Sequence, residues 1–265
     1  AILIIMSFFA QDRLDTIYDE VDAIVKWAPV SIEHPLGVDG FGFDVFASLQ
    51  IAIKTNIQLF FIPILLFGIA GVGMGIALSY ARGMLNRIFD SLFSLVNSIP
   101  LVLLILLILI IIEGFFSQYD TFSKVFLLFN IYAIVSSSKL AIEIRGKIEE
   151  TKRKDFVESS VALGLSPATI LFKHIIYHHC RISIIASILH FVSQLIFIEI
   201  TLAYLKLGAT GDVLSLGNMF DKYFKHISAF TTWDQWQVAV PSIVTLYFIF
   251  VLTQSTKRIL LHDQA

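Results

Sequence analysis

The chain has 265 residues, 57% of them hydrophobic and only 15% charged, with 24 phenylalanines and a mean hydropathy of +0.81. Soluble domains carry about 25% charged residues, so this composition belongs in a membrane. A net charge of −2 supplies no basic field for nucleic acid, and the lone Cys180 excludes an internal disulfide.

The first residues, AILIIMSFF at 1–9, are apolar. They are too few for a bilayer core, which takes roughly 20 helical residues. We read them as the end of a truncated first transmembrane helix. A cleaved signal peptide more often leaves a polar start. Residues 10–54 are polar and mixed, and they form a solvent-exposed, periplasmic segment that ends in the turn-rich HPLGVDGFGFDVF.

Five further spans follow. The first runs from about Thr55 to Tyr80 and holds Gly71 and Gly75 four residues apart, a spacing that lets helix backbones approach in lipid. The next, about Ile88 to Ile112, contains Ile99-Pro100, and the proline is expected to kink it. Asn97 beside the kink is a candidate pathway residue. Later spans are expected at about Lys124 to Leu140, Arg181 to Leu205 and Val238 to Gln254. With the truncated start, the reading is all-α and polytopic, with six transmembrane helices.

Lysine and arginine set the orientation. Arg82 and Arg87 lie in one turn, eight cations from Lys139 to Arg181 in or beside one large loop, and Lys257 and Arg258 near the end. These regions are read as cytoplasmic, with 259–265 as the tail. Residues 10–54, 113–123 and 206–237 then face outward. Trp233 and Trp236 suit an interfacial aromatic belt.

The large loop, 141–180, contains DFVESSVALGLSPATILFKHIIY from Asp155 to Tyr177. It reads as helix, glycine turn and second helix, lying in water between two spans. Glu158 is placed to cap the first helix or pair with a cation. Ser159, Ser160 and Ala162 keep the helix surface small. Gly164 permits the positive φ of a turn, and Ser166-Pro167 starts the second helix. His174, His178, His179 and Cys180 invite a metal reading, but no carboxylate is near in sequence, so no metal site is expected.

Glu199 is the acid most deeply set in an apolar run, LIFIEITLAYLKLG. Intramembrane acids are expensive and face a bundle interior or a cavity. Two readings stand side by side, a pathway residue and a buried acid that ties helices together. Gln194 is a further pathway candidate, although helical spacing puts it on a different face from Glu199.

Several of these stretches, in order, resemble the dipeptide/oligopeptide/nickel permeases of ABC importers. In the loop, Glu158-Ser159-Ser160, then Gly164, then His174-Ile175-Ile176-Tyr177 is similar to the family's EAA loop, with serines for alanines and Tyr177 for a proline. Upstream, His34, Pro35, Leu36, Gly37, Asp39, Gly42, Asp44 and Val45 match a family segment whose arginine is Phe43 here. Asp90 and Ile99-Pro100 also match. So do Glu199, Leu202, Leu205, Leu207 and Gly208, with Lys206 in place of a glycine. Ser215-Leu216-Gly217-Asn218-Met219 carries Leu216 where the family has tryptophan.

The resemblance implies a type I importer permease domain over 55–258, in a bacterial cytoplasmic (inner) membrane. The chain would itself bind no cofactor and carry no catalytic residue, and it has no GxxxxGK[ST] phosphate loop. ATP and Mg would be held by two cytoplasmic ATPase subunits, against which Glu158, Ser159, Ser160, Ala162, Gly164, Ser166 and Pro167 would couple. Asn97, Pro100, Gln194 and Glu199 would lie on or near the pathway. A second homologous permease, a solute-binding protein and membrane lipid complete the expected partners. Peptides are the expected solute. Nickel or metal chelates, cationic peptides and polyamines stay open, as does an ATPase-independent channel or structural subunit.

Overall fold

The computed structural model describes residues 27–40, 42–81, 83–207, 214–227 and 239–263. The expected truncated first helix, most of the polar segment, Arg82, Gly208, Trp233 and Trp236 lie outside the described residues. Eight helices of at least eight residues, with π-helical turns leading into one of them, make up the described architecture: α1 Val45–Tyr80, α2 Met84–Ser98, α3 Leu101–Phe115, α4 Thr121–Thr151, α5 Asp155–Ala162, α6 Arg181–Tyr204, α7 Leu216–Ile227 and α8 Ala239–Asp263.

Four helical stretches are long and apolar enough to cross a membrane: Val45–Tyr80, Thr121–Thr151, Pro167–Tyr204 and Ala239–Ile259. The α2–α3 pair passes the same test as one span but bends by 100°. The described residues therefore hold four spans, or five if the bent pair counts as one.

The bend corrects the expectation of a kinked helix. Proline disfavours helical backbone in the residue before it, and Ile99 is accordingly extended, at φ −76° and ψ 126°. Pro100 then caps a new helix rather than interrupting an old one. The helix at Val45 also begins ten residues before the expected span, because Asp44 caps it: the Ala47 amide donates to Asp44 Oδ1 at 2.9 Å.

The chain divides into two compact units. One gathers the described residues up to Phe61, with Gln118–Phe126 and Gln194–Val251. Its core packs Leu49 and Ala52 of α1 against Leu216, Met219 and Tyr223 of α7. The turn-rich HPLGVDGFGFDV segment folds over the start of α1, with Gly37 and Gly42 at positive φ. His34 Nδ1 lies 2.8 Å from Asp44 Oδ2. Buried Asp39 accepts from Lys222 Nζ and from the Tyr223 hydroxyl, each at 2.9 Å. Burial, and then the Asp39 charge, push the Tyr223 phenol well above its ordinary pKa, so it remains a donor.

The other unit holds Ile62–Ser117, Leu127–Ser193 and Leu252 onward. Here α1 and α4 touch at the backbone. A Cβ on Gly71 would meet Leu140 at 2.7 Å, and one on Gly75 would come within 2.9 Å of the Ala141 carbonyl. The Gly71/Gly75 pair is therefore used for close packing, as its spacing predicts. Phe67 and Phe191 stack at 4.1 Å, and Tyr132 stacks on Phe191 at 5.7 Å. Arg145 of α4 bonds Asp90 of α2 at 2.6 Å and Glu149 at 2.9 Å. Lys152 donates to the Ser79 carbonyl and lies 3.5 Å from the Tyr80 ring centre.

Candidate functional site

The EAA-like segment is built as a closed helical corner. Its first helix is α5, and Asp155 and Glu158 occupy the first turn, where acids favour the helix N-terminus. Glu158 is not the cap. Lys154 holds that position without a side-chain hydrogen bond, and Glu158 lies exposed one turn inside. The hydroxyls of Ser159 and Ser160 turn back to the carbonyls of Asp155 and Phe156 at 3.0 and 2.7 Å. Both serines therefore satisfy their polarity internally and present small surfaces, as alanines would.

The helix closes at Gly164. The Leu165 amide donates to the Ser160 carbonyl at 3.2 Å, and the Gly164 amide to the Val161 carbonyl at 2.9 Å. This six-to-one, five-to-two pattern is the Schellman motif, which calls for a left-handed residue after the helix. Gly164 supplies it at φ +79°. Ser166 then caps the next helix by accepting from the Thr169 amide at 3.2 Å, with Pro167 in the first turn.

The second helix is not a separate element in water, as the sequence reading had it. From Pro167 a single turn passes into π-helical turns over Ile170–Cys180 and straight on into α6. Ile170, Leu171 and Ile175 are buried, so the apolar side of this piece packs inward and joins it to the span. Phe156 stacks on His179 at 5.5 Å, and His174 and His178 stack at 6.3 Å.

Three apolar side chains that the sequence reading passed over stand on this corner: Val161, Leu163 and Leu165, at 60%, 82% and 38% exposure. Ala162, Gly164, Ser166 and Pro167 are exposed among them. Three apolar residues around a glycine in a polar loop were the available signal.

The pathway candidates separate. Asn97 and Pro100 belong to one unit, Gln194 and Glu199 to the other. Glu199 is buried at 5% exposure, and its carboxylate accepts from the Asn56 amide, the Gly217 backbone N–H and the Ser215 hydroxyl. The Asn56 carbonyl in turn accepts from the Leu216 amide at 2.9 Å. Asn56 and Glu199 thus satisfy the first amides of α7, which have no partner within that helix. A Cβ on Gly217 would sit 2.8 Å from the Glu199 carbonyl oxygen, so only glycine lets the two backbones meet. Gln194 is half-buried on α6. Asn97 accepts from Ser138 Oγ at 3.3 Å and lines a small pocket at the α2–α3 break.

These helices and their broken span make an all-α, polytopic membrane protein. The family described as "Binding-protein-dependent transport system inner membrane component" matches residues 68–260, and the chain belongs to it. It is an inner-membrane component of such a system.

Curated relatives agree. The chain is 24% identical over 221 residues to the oligopeptide transport system permease protein OppC of Bacillus subtilis (strain 168), covering 82% of this chain and 68% of that one. It is 25% identical over 214 residues to the dipeptide transport system permease protein DppC of Haemophilus influenzae, covering 81% and 68%. It is also 25% identical over 196 residues to the glutathione transport system permease protein GsiD of Pectobacterium atrosepticum, covering 72% and 60%.

Proposed function

We propose that this chain is a membrane subunit of an ATP-driven importer for peptides. The observation that carries the coupling role is the corner at Gly164. It is a short helix closed at its C-terminal end by the Gly164 turn, with the Ser166-capped segment beyond it continuous with a span, and it displays Val161, Leu163 and Leu165. Isolated exposed apolar residues are ordinary, but a cluster on a rigid corner marks a surface made to be covered. A cleft on a cytoplasmic ATPase subunit is the expected cover, and the cations around the loop support a position on the side where ATP is. Closure of two ATPases, each holding ATP and Mg, would move the corner as a rigid body and carry the attached span with it.

A second homologous permease would complete the pathway, and a solute-binding protein would deliver the cargo outside. The relatives named for oligopeptides, dipeptides and glutathione support peptides over metal chelates or polyamines. Glu199 acts in this reading as a tie holding α7 rather than as a lining group, since protein donors already occupy its carboxylate.

The test is extraction from native membranes in mild detergent and identification of what stays bound. Two ATPase subunits and a second permease are expected. A homo-oligomer free of ATPase would reject the importer reading in favour of a channel or structural subunit.

A further inference from the structure

The pocket at the helix break holds an unpaired cation. It is lined by Asn97 and Ile99 at the end of α2, Leu101 at the start of α3, and Tyr132, Ser136 and Lys139 of α4. Residues 132, 136 and 139 follow i, i+4, i+7 spacing and so share one helix face. Lys139 stands at the loop end of the span read over about Lys124 to Leu140, 12 residues before the end of α4.

Among the described residues Lys139 makes no ion pair and no hydrogen bond, and it is exposed. The nearby acid on its own helix, Glu143, accepts from Ser187 at 2.7 Å. The Lys139 charge also reaches His190 of α6, which offers it no negative partner. Ionisable groups within membrane spans are rare and face a cavity or a partner, and this one lines a pocket.

The pocket has the complement of an anion site. A lysine supplies charge, the Asn97 amide and the Ser136 hydroxyl, which also bonds Tyr132, supply polar groups, and α3 starts at the break with first amides that have no partner within that helix. In transporters built on broken helices, such half-helix N-termini face anionic groups of the solute. We infer that Lys139, with Asn97 and Ser136, binds the carboxylate of the transported solute as it passes the α2–α3 break. Oligopeptides, dipeptides and glutathione, the solutes named for the relatives, all carry a free carboxylate. This inference rests on the peptide-import reading.

The experiment uses the whole transporter, with its binding protein, in proteoliposomes. Uptake is compared for a peptide with a free C-terminus and its C-terminal amide, each normalised to its affinity for the binding protein. Lys139→Gln is expected to slow the free acid about tenfold, the scale of one lost charge-assisted contact, and to leave the amide nearly unchanged. Lys139→Arg is expected to retain the preference.

Equal uptake of the free acid by wild type and Lys139→Gln overturns the inference while leaving peptide import intact. An equal loss for acid and amide, with the complex still assembled, also overturns it. Lys139 would then serve a lipid phosphate or an acid of the second permease. A wild-type complex that moves no peptide removes the peptide reading, and this site with it.

Discussion

The Asn56 side-chain amide donates to the Glu199 carboxylate across 143 residues of sequence, and both groups are buried. Together they hold the start of α7 through the Leu216 and Gly217 amides. Glu199→Ala strands the Asn56 N–H and the Gly217 N–H in a buried site. It is expected to destabilise the protein by about 2–3 kcal/mol, since an unsatisfied buried group costs about 1–3 kcal/mol. Asn56→Ala should cost a similar amount. Because the pair acts as one unit, the double variant should cost less than the sum. Thermal unfolding of the purified complex in detergent reads all three.

Gly217 and Gly146 give a contrasting pair. A methyl on Gly217 drives into the Glu199 backbone, so Gly217→Ala is expected to lower stability by about 1–3 kcal/mol through overpacking. Gly146 has open space at its Cβ inside α4, five residues before the helix ends at Thr151. Gly146→Ala should therefore gain about 0.5–1 kcal/mol from helix propensity. The same melting assay shows whether the signs differ.

The break at Pro100 is measurable as a distance. Met84 and Phe115 are both exposed, at 71% and 75%, and suit spin labels. A straight helix over this stretch would put its ends about 46 Å apart at 1.5 Å per residue, whereas two halves bent by 100° leave about 30 Å. Pulsed dipolar spectroscopy should find the shorter value. A peak near the longer one would mean a continuous helix.

Gly164→Ala leaves space untroubled but forces a Cβ into left-handed backbone at φ +79°. The strain is about 1–2 kcal/mol. The corner should loosen, with faster amide hydrogen exchange at Leu165, and ATP-driven uptake should fall in a protein that still inserts. Unchanged exchange and uptake would separate this turn from coupling.

Much of the organisation was legible because it rests on local rules. Composition, four of the long spans, the Gly71/Gly75 contact, the Gly164 turn and the Ser166-Pro167 helix start all follow from residues acting on their neighbours. What the sequence hid depends on burial or on distant partners. The fusion of the second loop helix with α6 follows from the inward packing of Ile170, Leu171 and Ile175. The Asp44 cap at Val45 lengthens α1 beyond its apolar stretch. The cation near Phe43 comes from Lys222, a residue far away in sequence, 4.8 Å from its ring centre. Glu199 could be flagged as a costly acid from its apolar run, but its partners, at Asn56 and Ser215–Gly217, lie in other segments.

The most direct measurement is a cross-link from the corner itself. Leu163 is 82% exposed, and the native Cys180 is fully buried, so a Leu163→Cys variant offers one accessible thiol among the described residues. With a short bifunctional thiol reagent in native membranes, the account predicts a specific adduct to an ATPase subunit, sensitive to ATP and absent from the unsubstituted chain. Efficient labelling of Leu163→Cys with no ATPase adduct, in membranes that still import the solute, would contradict it.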